Sequence, residues 1–318
     1  MLLFLARIKA IQRLVNQYTM ALVSYRKTRA MKLVTFTENQ HTRIGAVVGD
    51  EVIDTLHSLT LPKTMLGFLQ AGQAAKEQMQ YLIDSGLNRL ALNDITLQAP
   101  IPRPGKYLAI SLNYADHIAE TGKERPEYPS FFSKATSAII GHQTPIQRPK
   151  VSEKLDYEGE LAIVIGSYAK HVSIEQAPNV IAGFTIANDV SVRDWQMRSP
   201  TMMLGKSFDT AGPLGPWLVT ADEIPNPHQL SLKTWVDDEL RQQANTSQML
   251  FNCYDMIAYL SQAMTLEPGD VIATGTPAGV GVKMTPRGYL KPGQTVTIEI
   301  EGVGRLSNPV IDEVGFNR

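Results

Sequence analysis

Residues 156–166 read DYEGELAIVIG: Asp156, Glu158 and Glu160 stand at every second position, and an apolar block follows. Alternation is the period of a β-strand, on which every second side chain shares a face and successive Cα atoms of that face lie roughly 7 Å apart. A strand about to bury itself has thus lined one face with negative charge. Either water solvates that face or a bound cation neutralises it, and the flanking sequence has to decide between them.

Downstream, AGFTIANDV (182–190) is a second apolar strand that ends in Asn188-Asp189. If Asp189 lies beside Glu158 and Glu160, three oxygen donors converge without histidine or cysteine, a set that suits a hard cation such as Mg²⁺ or Mn²⁺ with positions left open for a chelating substrate and water. Taken alone, Asp189 serves equally well as a cap for a helix over 190–197. Upstream, SLNYADHIAETG (111–122) places His117 and Glu120 three apart on a short helix that Gly122 stops. They share a face, so the carboxylate can fix the imidazole's tautomer and raise its basicity, unless the two are merely a solvated pair. LGKSFDTAGPLGPW (204–217) carries Lys206 as an isolated cation in a segment too rich in glycine and proline for a helix face. Its ammonium can oppose an enolate or carboxylate, or simply meet solvent. In ATGTPAGVG (273–281) the glycines, Gly275 among them, let backbone approach a ligand, and Thr274 or Thr276 can donate to a carboxylate.

The 318 residues hold 30 Lys and Arg against 31 Asp and Glu, and 43% hydrophobic against 19% charged positions. Such a chain folds as a globular protein, and its near-neutral balance offers no footprint for nucleic acid or an anionic membrane surface, which favours small-molecule partners. One cysteine, Cys253, excludes an internal disulfide and points to a reducing compartment, by default the cytoplasm. Residues 1–30 carry Arg7, Lys9, Arg13, Arg26, Lys27 and Arg29 without an acid. They read as a mitochondrial presequence or as a leader ahead of a start at Met31; the apolar run before Arg7 is too short to span a membrane.

From Met31, alternating segments joined by turns at 38–41 and 49–50 predict a β-meander, and apolar spacing predicts helices over 63–70 and 74–85, stopped by Gly86. Pro100, Pro102, Pro104 and Gly105 then deny both helix and central strand, so the expected division is a small N-terminal α/β domain (31–100) and a larger one (101–318). The latter is strand-dominated, with strands expected at 106–111, 130–133, 155–165, 180–187, 232–236, 271–273 and 295–301 and a helix at 254–264. The fold class is α+β and β-rich. Neither GxGxxG nor a P-loop occurs, which removes nucleotide cofactors from the leading readings.

In order along the chain, SLNYADHIAETG, DYEGELAIVIG, IANDVSVRDWQ, GKSFDTAGPLGP and GDVIATGTPAGVG resemble the fumarylacetoacetate hydrolase family over about residues 105–310. The likeness is strongest to its two-domain branch, which includes hydroxyhepta-dienedioate isomerases and other 2-oxo-acid enzymes. The resemblance implies a rolled, mixed β-sheet catalytic domain in a homodimer. It assigns Glu158, Glu160 and Asp189 to Mg²⁺ or Mn²⁺, with Asp156 flanking, and His117 with Glu120 to a water-activating dyad. Lys206 would face the reacting carbonyl, while Gln196, Gly275 and Thr276 would contact a 2-oxo acid substrate. The activity it implies is hydrolysis of a carbon–carbon bond in a 2,4-dioxo acid, an acylpyruvate or fumarylacetoacetate-like compound. The alternatives are decarboxylation of oxaloacetate-type acids, or isomerisation or tautomerisation of a 2-hydroxy-dienoate at the same metal. A non-catalytic metal-binding module would need neither His117 nor Lys206. Arg198, Ser199 and Met203 are candidates to line the distal part of the substrate site.

Overall fold

A computed structural model describes residues 30–315, so the basic leader lies almost wholly outside the described residues. Strands β1 (Lys32–Glu38) and β2 (His41–Val48) form a hairpin in register from Lys32↔Val47 to Glu38↔His41. Its two turn residues, Asn39 and Gln40, both have positive φ (48° and 66°), the handedness that matches the twist of the strands. β3 (Glu51–Asp54) follows the turn at Gly49. Helix α1 (Met65–Ser85) starts where the Thr64 hydroxyl accepts the Gly67 N–H and stops at left-handed Gly86. Gly72, at φ 60° and ψ −133°, is not helical, so this segment is two helices meeting at a kink, in keeping with the two apolar stretches of the sequence. β4 (Arg89–Ala91) and β5 (Thr96–Leu97) complete this segment.

The remainder runs through β6 (Tyr107–Ser111), α2 (Ala115–Thr121), β7 (Ser130–Ser133), β8 (Ile139–Ile140), β9 (Ile146–Arg148), β10 (Leu155–Asp156), β11 (Gly159–Ile165), β12 (Ile181–Asn188) and β13 (Ser191–Val192). Two single turns, α3 (Arg193–Gln196) and α4 (Met203–Lys206), lead into β14 (Gly212–Thr220), β15 (Ser231–Val236), β16 (Glu239–Asn245) and α5 (Cys253–Ala263). β17 (Val271–Ala273), β18 (Thr295–Ile300) and β19 (Gly304–Asp312) close the chain. Among the described residues, one mixed sheet of twelve strands follows the path β4-β3-β2-β1-β14-β12-β11-β17-β6-β7, with β5 on β1 and β8 on β14. A second sheet runs β16-β15-β18-β19-β9. The chain is α+β and β-rich, as expected, and among the described residues no helix is long and apolar enough to cross a membrane.

β11 and β12 are buried along their whole length, which explains their unbroken apolar character. On one face Ile163, Phe184 and Ile186 share a core with Leu232, Ile298 and Leu306 of the second sheet. On the other, Ala162, Val164 and Ala187 pack with Leu33, Ile44, Phe68 and Met79. β1 also pairs with β14 through Lys32↔Val219 and Leu33↔Leu218, so one sheet and one core cross the division expected near residue 100.

The expected strand over 155–165 breaks at Tyr157-Glu158. β10 pairs with β13, whereas β11 pairs with β12 and β17. At the break, side chain replaces ladder: the Glu158 N–H donates to Asn188 Oδ1 (3.0 Å), and the Asp189 N–H donates to the Glu158 carbonyl (2.9 Å). The break means that Asp156 does not share a carboxylate face with Glu158 and Glu160, which corrects the simple alternation. Its oxygens accept from Arg193 Nε (2.8 Å) and from the backbone N–H groups of Gly281 (2.8 Å) and Val282 (2.9 Å).

Candidate active site and metal centre

The antiparallel register sets Gly159 opposite Asn188 and Glu160 opposite Ala187, so the start of β11 meets the end of β12. Glu158, Glu160 and Asp189 converge there, each offering one oxygen within 4.8 Å of the others. All three are buried, Glu160 and Asp189 to 1% exposure. Unopposed anions so placed are untenable, and three cations answer them. Lys206 Nζ lies 2.5 Å from Glu158 Oε2 and 2.6 Å from Asp189 Oδ2. Arg193 Nη1 lies 2.8 Å from Glu158 Oε1. Lys134 Nζ lies 2.5 Å from Asp189 Oδ1 and also meets the Val190 carbonyl. Burial alone would push the Glu158 carboxyl up, but Lys206 and then Arg193 outweigh it and hold that carboxyl well below its ordinary range.

Glu160 differs from its neighbours. It accepts the Gly275 N–H (2.7 Å) and has no cationic side-chain partner among the described residues. Burial first, then the charges of Asp189 and Glu158, push its carboxyl far above the ordinary value. Glu160 is therefore the acid of the cluster that lacks a cation of its own, the cluster's donors are all hard oxygens, and no histidine or cysteine is among them. The residues fit a divalent ion of the Mg²⁺ or Mn²⁺ kind.

On the cavity wall beside this cluster, His117 Nδ1 lies 3.1 Å from Glu120 Oε2. Glu120 Oε1 in turn accepts the Gly279 N–H (3.0 Å), which fastens α2 to the loop after β17. A carboxylate on Nδ1 selects the tautomer with its proton there and leaves Nε2 as the base. The cavity, about 340 Å³, is lined by His117, Glu158, Glu160, Arg193, Gln196, Lys206 and Thr276 among others, so it gathers the expected site residues except Asp189, Glu120 and Gly275, which sit behind its wall. Gly275 has φ +90°, and a Cβ there would stand 2.7 Å from Asn113 Cβ. Its N–H is directed at Glu160, so it orients an acid of the cluster where contact with substrate was expected. The Thr276 hydroxyl donates to the Gly159 carbonyl (3.1 Å) and accepts from Gln242 Nε2 (2.7 Å). Gln196 Oε1 accepts from Arg193 Nη1 (3.0 Å).

Lys134, Arg193 and Gln242 escaped the sequence reading. Arg193 stands inside the quoted IANDVSVRDWQ, and its buried Nη2, without an acceptor, was findable only once Asp156 and Glu158 were known to flank it. Lys134 ends the apolar run SFFS at β7, where a lone lysine carries no local signal. The distal lining was also misplaced. Met197 and Met202 line the cavity, whereas Arg198 stacks on Trp195 (3.8 Å to the ring centroid), Ser199 bonds Thr201, and Met203 is turned to solvent.

Residues 106–311 match the family model described as fumarylacetoacetate (FAA) hydrolase C-terminal. The chain belongs to the fumarylacetoacetate hydrolase family. Over 289 residues, 89% of this chain and 92% of the other, it is 42% identical to the Rattus norvegicus protein named oxaloacetate tautomerase Fahd2a, mitochondrial. Among solved structures it resembles maleylpyruvate hydrolase from Sphingobium sp. SYK-6 in complex with manganese(II) and pyruvate, with TM-score 0.77, 32% identity, and 89% of this chain and 100% of that one covered. It also resembles 2-hydroxyhepta-2,4-diene-1,7-dioate isomerase from Mycobacterium marinum, with TM-score 0.71, 32% identity, and 90% and 100% covered. Family members thus include tautomerases, isomerases and hydrolases, and the chain is an enzyme of this family.

Proposed function

We propose that this protein tautomerises a 2-oxo acid of the oxaloacetate type, interconverting its keto and enol forms. The observation that carries the choice among the family's reactions is the likeness to oxaloacetate tautomerase over nine-tenths of both chains. This replaces hydrolysis as the leading reading.

In the keto-to-enol direction, the C3–H bond breaks and its proton passes to Nε2 of His117, whose Nδ1 is held by Glu120. The electron pair forms the C2–C3 double bond, and negative charge moves to the C2 oxygen, which the Lys206 ammonium opposes. The imidazolium then returns a proton to that oxygen, and no bond between carbons is broken. Arg193 lines the cavity and keeps a buried Nη2 without an acceptor, so it is the residue to take the C1 carboxylate. Glu158, Glu160 and Asp189 would hold Mg²⁺ or Mn²⁺, which when bound supplies Lewis-acid stabilisation of the developing enolate.

The experiment follows loss of the enol absorbance of oxaloacetate with Mg²⁺-loaded protein. Wild type accelerates ketonisation above the Mg²⁺-only rate, and His117→Ala loses roughly 10² to 10⁴ of that acceleration; a wild-type rate equal to that of buffer rejects the assignment. Hydrolysis is the second reading, favoured by the likeness to the manganese-bound maleylpyruvate hydrolase. Product analysis separates the reactions: two carboxylic acids mean hydrolysis, CO₂ means decarboxylation, and an unchanged skeleton means tautomerisation. The rat relative is named mitochondrial, and with the acid-free leader this favours a mitochondrial over a cytoplasmic location; N-terminal sequencing of the mature protein checks it.

A further inference from the structure

The cavity is charged at both ends. Its inner end is the buried cluster of Glu158, Glu160, Arg193 and Lys206; its outer end carries Lys123, just past α2, and Lys283 on the turn after the loop at 273–281. Apolar side chains, among them Leu112, Met202, Val280 and Val282, line the wall. Both lysines are exposed, and neither has a carboxylate partner among the described residues; Lys283 Nζ touches only the Thr121 carbonyl, at 3.3 Å. That contact, with the Glu120–Gly279 hydrogen bond, holds the two segments bearing the lysines side by side. A substrate charged at both ends would meet these two cations with its second anionic group, whereas one charged only at its 2-oxo-acid end would leave them to solvent.

We infer that Lys123 and Lys283 are specificity residues that receive the distal carboxylate of a dicarboxylic 2-oxo acid, and so select diacids over mono-acids of the same length. The inference rests on the proposed reaction only for the orientation of the substrate, with its 2-oxo-acid end inward. The distal carboxylate is not a reacting group, so the lysines act on substrate choice and the inner cluster on the chemistry.

The test compares oxaloacetate with its 4-methyl ester on Mg²⁺-loaded wild type, a Lys123→Met/Lys283→Met double variant and the corresponding Lys→Arg double variant. The readout is the ratio of kcat/KM for diacid over ester. Two partly exposed ion pairs support a fall of about tenfold in the Met variant, and the Arg variant keeps the wild-type preference. A fall of less than about threefold in the Met variant overturns the inference. If wild type turns over neither compound, the tautomerase assignment fails, and calorimetry on Mn²⁺-loaded protein with 2-oxoglutarate and 2-oxopentanoate still reads the lysines. Tighter binding of the diacid by wild type, lost in the Met variant, sustains the inference; no preference in wild type, or one the Met variant keeps, overturns it.

Discussion

Asp189 is opposed by two lysines, one on each of its oxygens. The two lysines nevertheless respond oppositely. Burial would depress both ammonium groups, but Lys206 also has Glu158, and the two carboxylates outweigh burial and raise it. Lys134 has Asp189 alone and a like charge, Lys206, nearby, so its ammonium remains depressed. It is held inside by a single carboxylate, and that carboxylate depends on it in return. Lys134→Met keeps the stem's bulk and removes the charge, leaving Asp189 Oδ1 buried without its donor. Breaking one partner from a buried pair typically costs about 3–5 kcal/mol, and the remaining Lys206 places this case at the low end, about 3 kcal/mol. Urea unfolding of the metal-free variant measures it, and a loss under about 1 kcal/mol would show that Lys206 alone suffices to hold Asp189.

Two histidines fasten regular elements by accepting their backbone N–H groups. His142 Nδ1 accepts from Ser307 in β19 (3.1 Å), and His228 Nε2 accepts from Cys253, the first residue of α5 (3.3 Å). Both must be neutral to accept, and burial lowers both below the ordinary 6.5, for His228 against an opposing pull from Asp255. Their contribution is therefore fully present above pH 6.5 and is lost as pH falls from there through their depressed folded values. Within that window each costs up to about 1.4 kcal/mol per pH unit. Unfolding free energy measured from pH 7.5 to 5 should thus fall more steeply for wild type than for a His142→Gln/His228→Gln variant, whose amide oxygens still accept; parallel curves would remove the histidines from the pH response. Elements defined by their own chemistry were legible in the sequence: the 38–41 turn, the Gly86 stop, and the end of β12 at Asn188-Asp189. The break at Tyr157-Glu158 was not, because it depends on β13 and β12, strands that begin more than twenty residues later. Nor was the pairing of Leu33 with Leu218, which no local pattern encodes. The site followed the same division: the acids stood out by spacing, whereas Lys134 and Arg193 became meaningful only beside charges brought from elsewhere in the chain.

Because β10, β11, β12, α2 and the loop at 273–281 all end at the carboxylate cluster, its charge balance bears on the stability of both sheets. The buried acids there are Asp156, Glu158, Glu160 and Asp189, against Arg193, Lys134 and Lys206. Each cation faces at least one acid, and Glu160 is the one left with a backbone donor alone. Without metal, burial and the charges of Asp189 and Glu158 push the Glu160 carboxyl far up, so it is buried holding its proton; a divalent ion takes that proton's place. Mn²⁺ at about 100 times its dissociation constant should therefore stabilise the native state by about 2.7 kcal/mol, with a matching loss on chelation. Glu160→Gln isolates the cause, since its amide oxygen can still accept the Gly275 N–H while the carboxyl that could ionise to hold the ion is gone. Thermal unfolding should show the metal-free variant at least as stable as metal-free wild type, and nearly unresponsive to Mn²⁺. A variant that keeps the full Mn²⁺ response, or that is destabilised by more than about 1 kcal/mol without metal, would mean that Glu160 serves the fold as a structural anion and that the divalent ion is held without it.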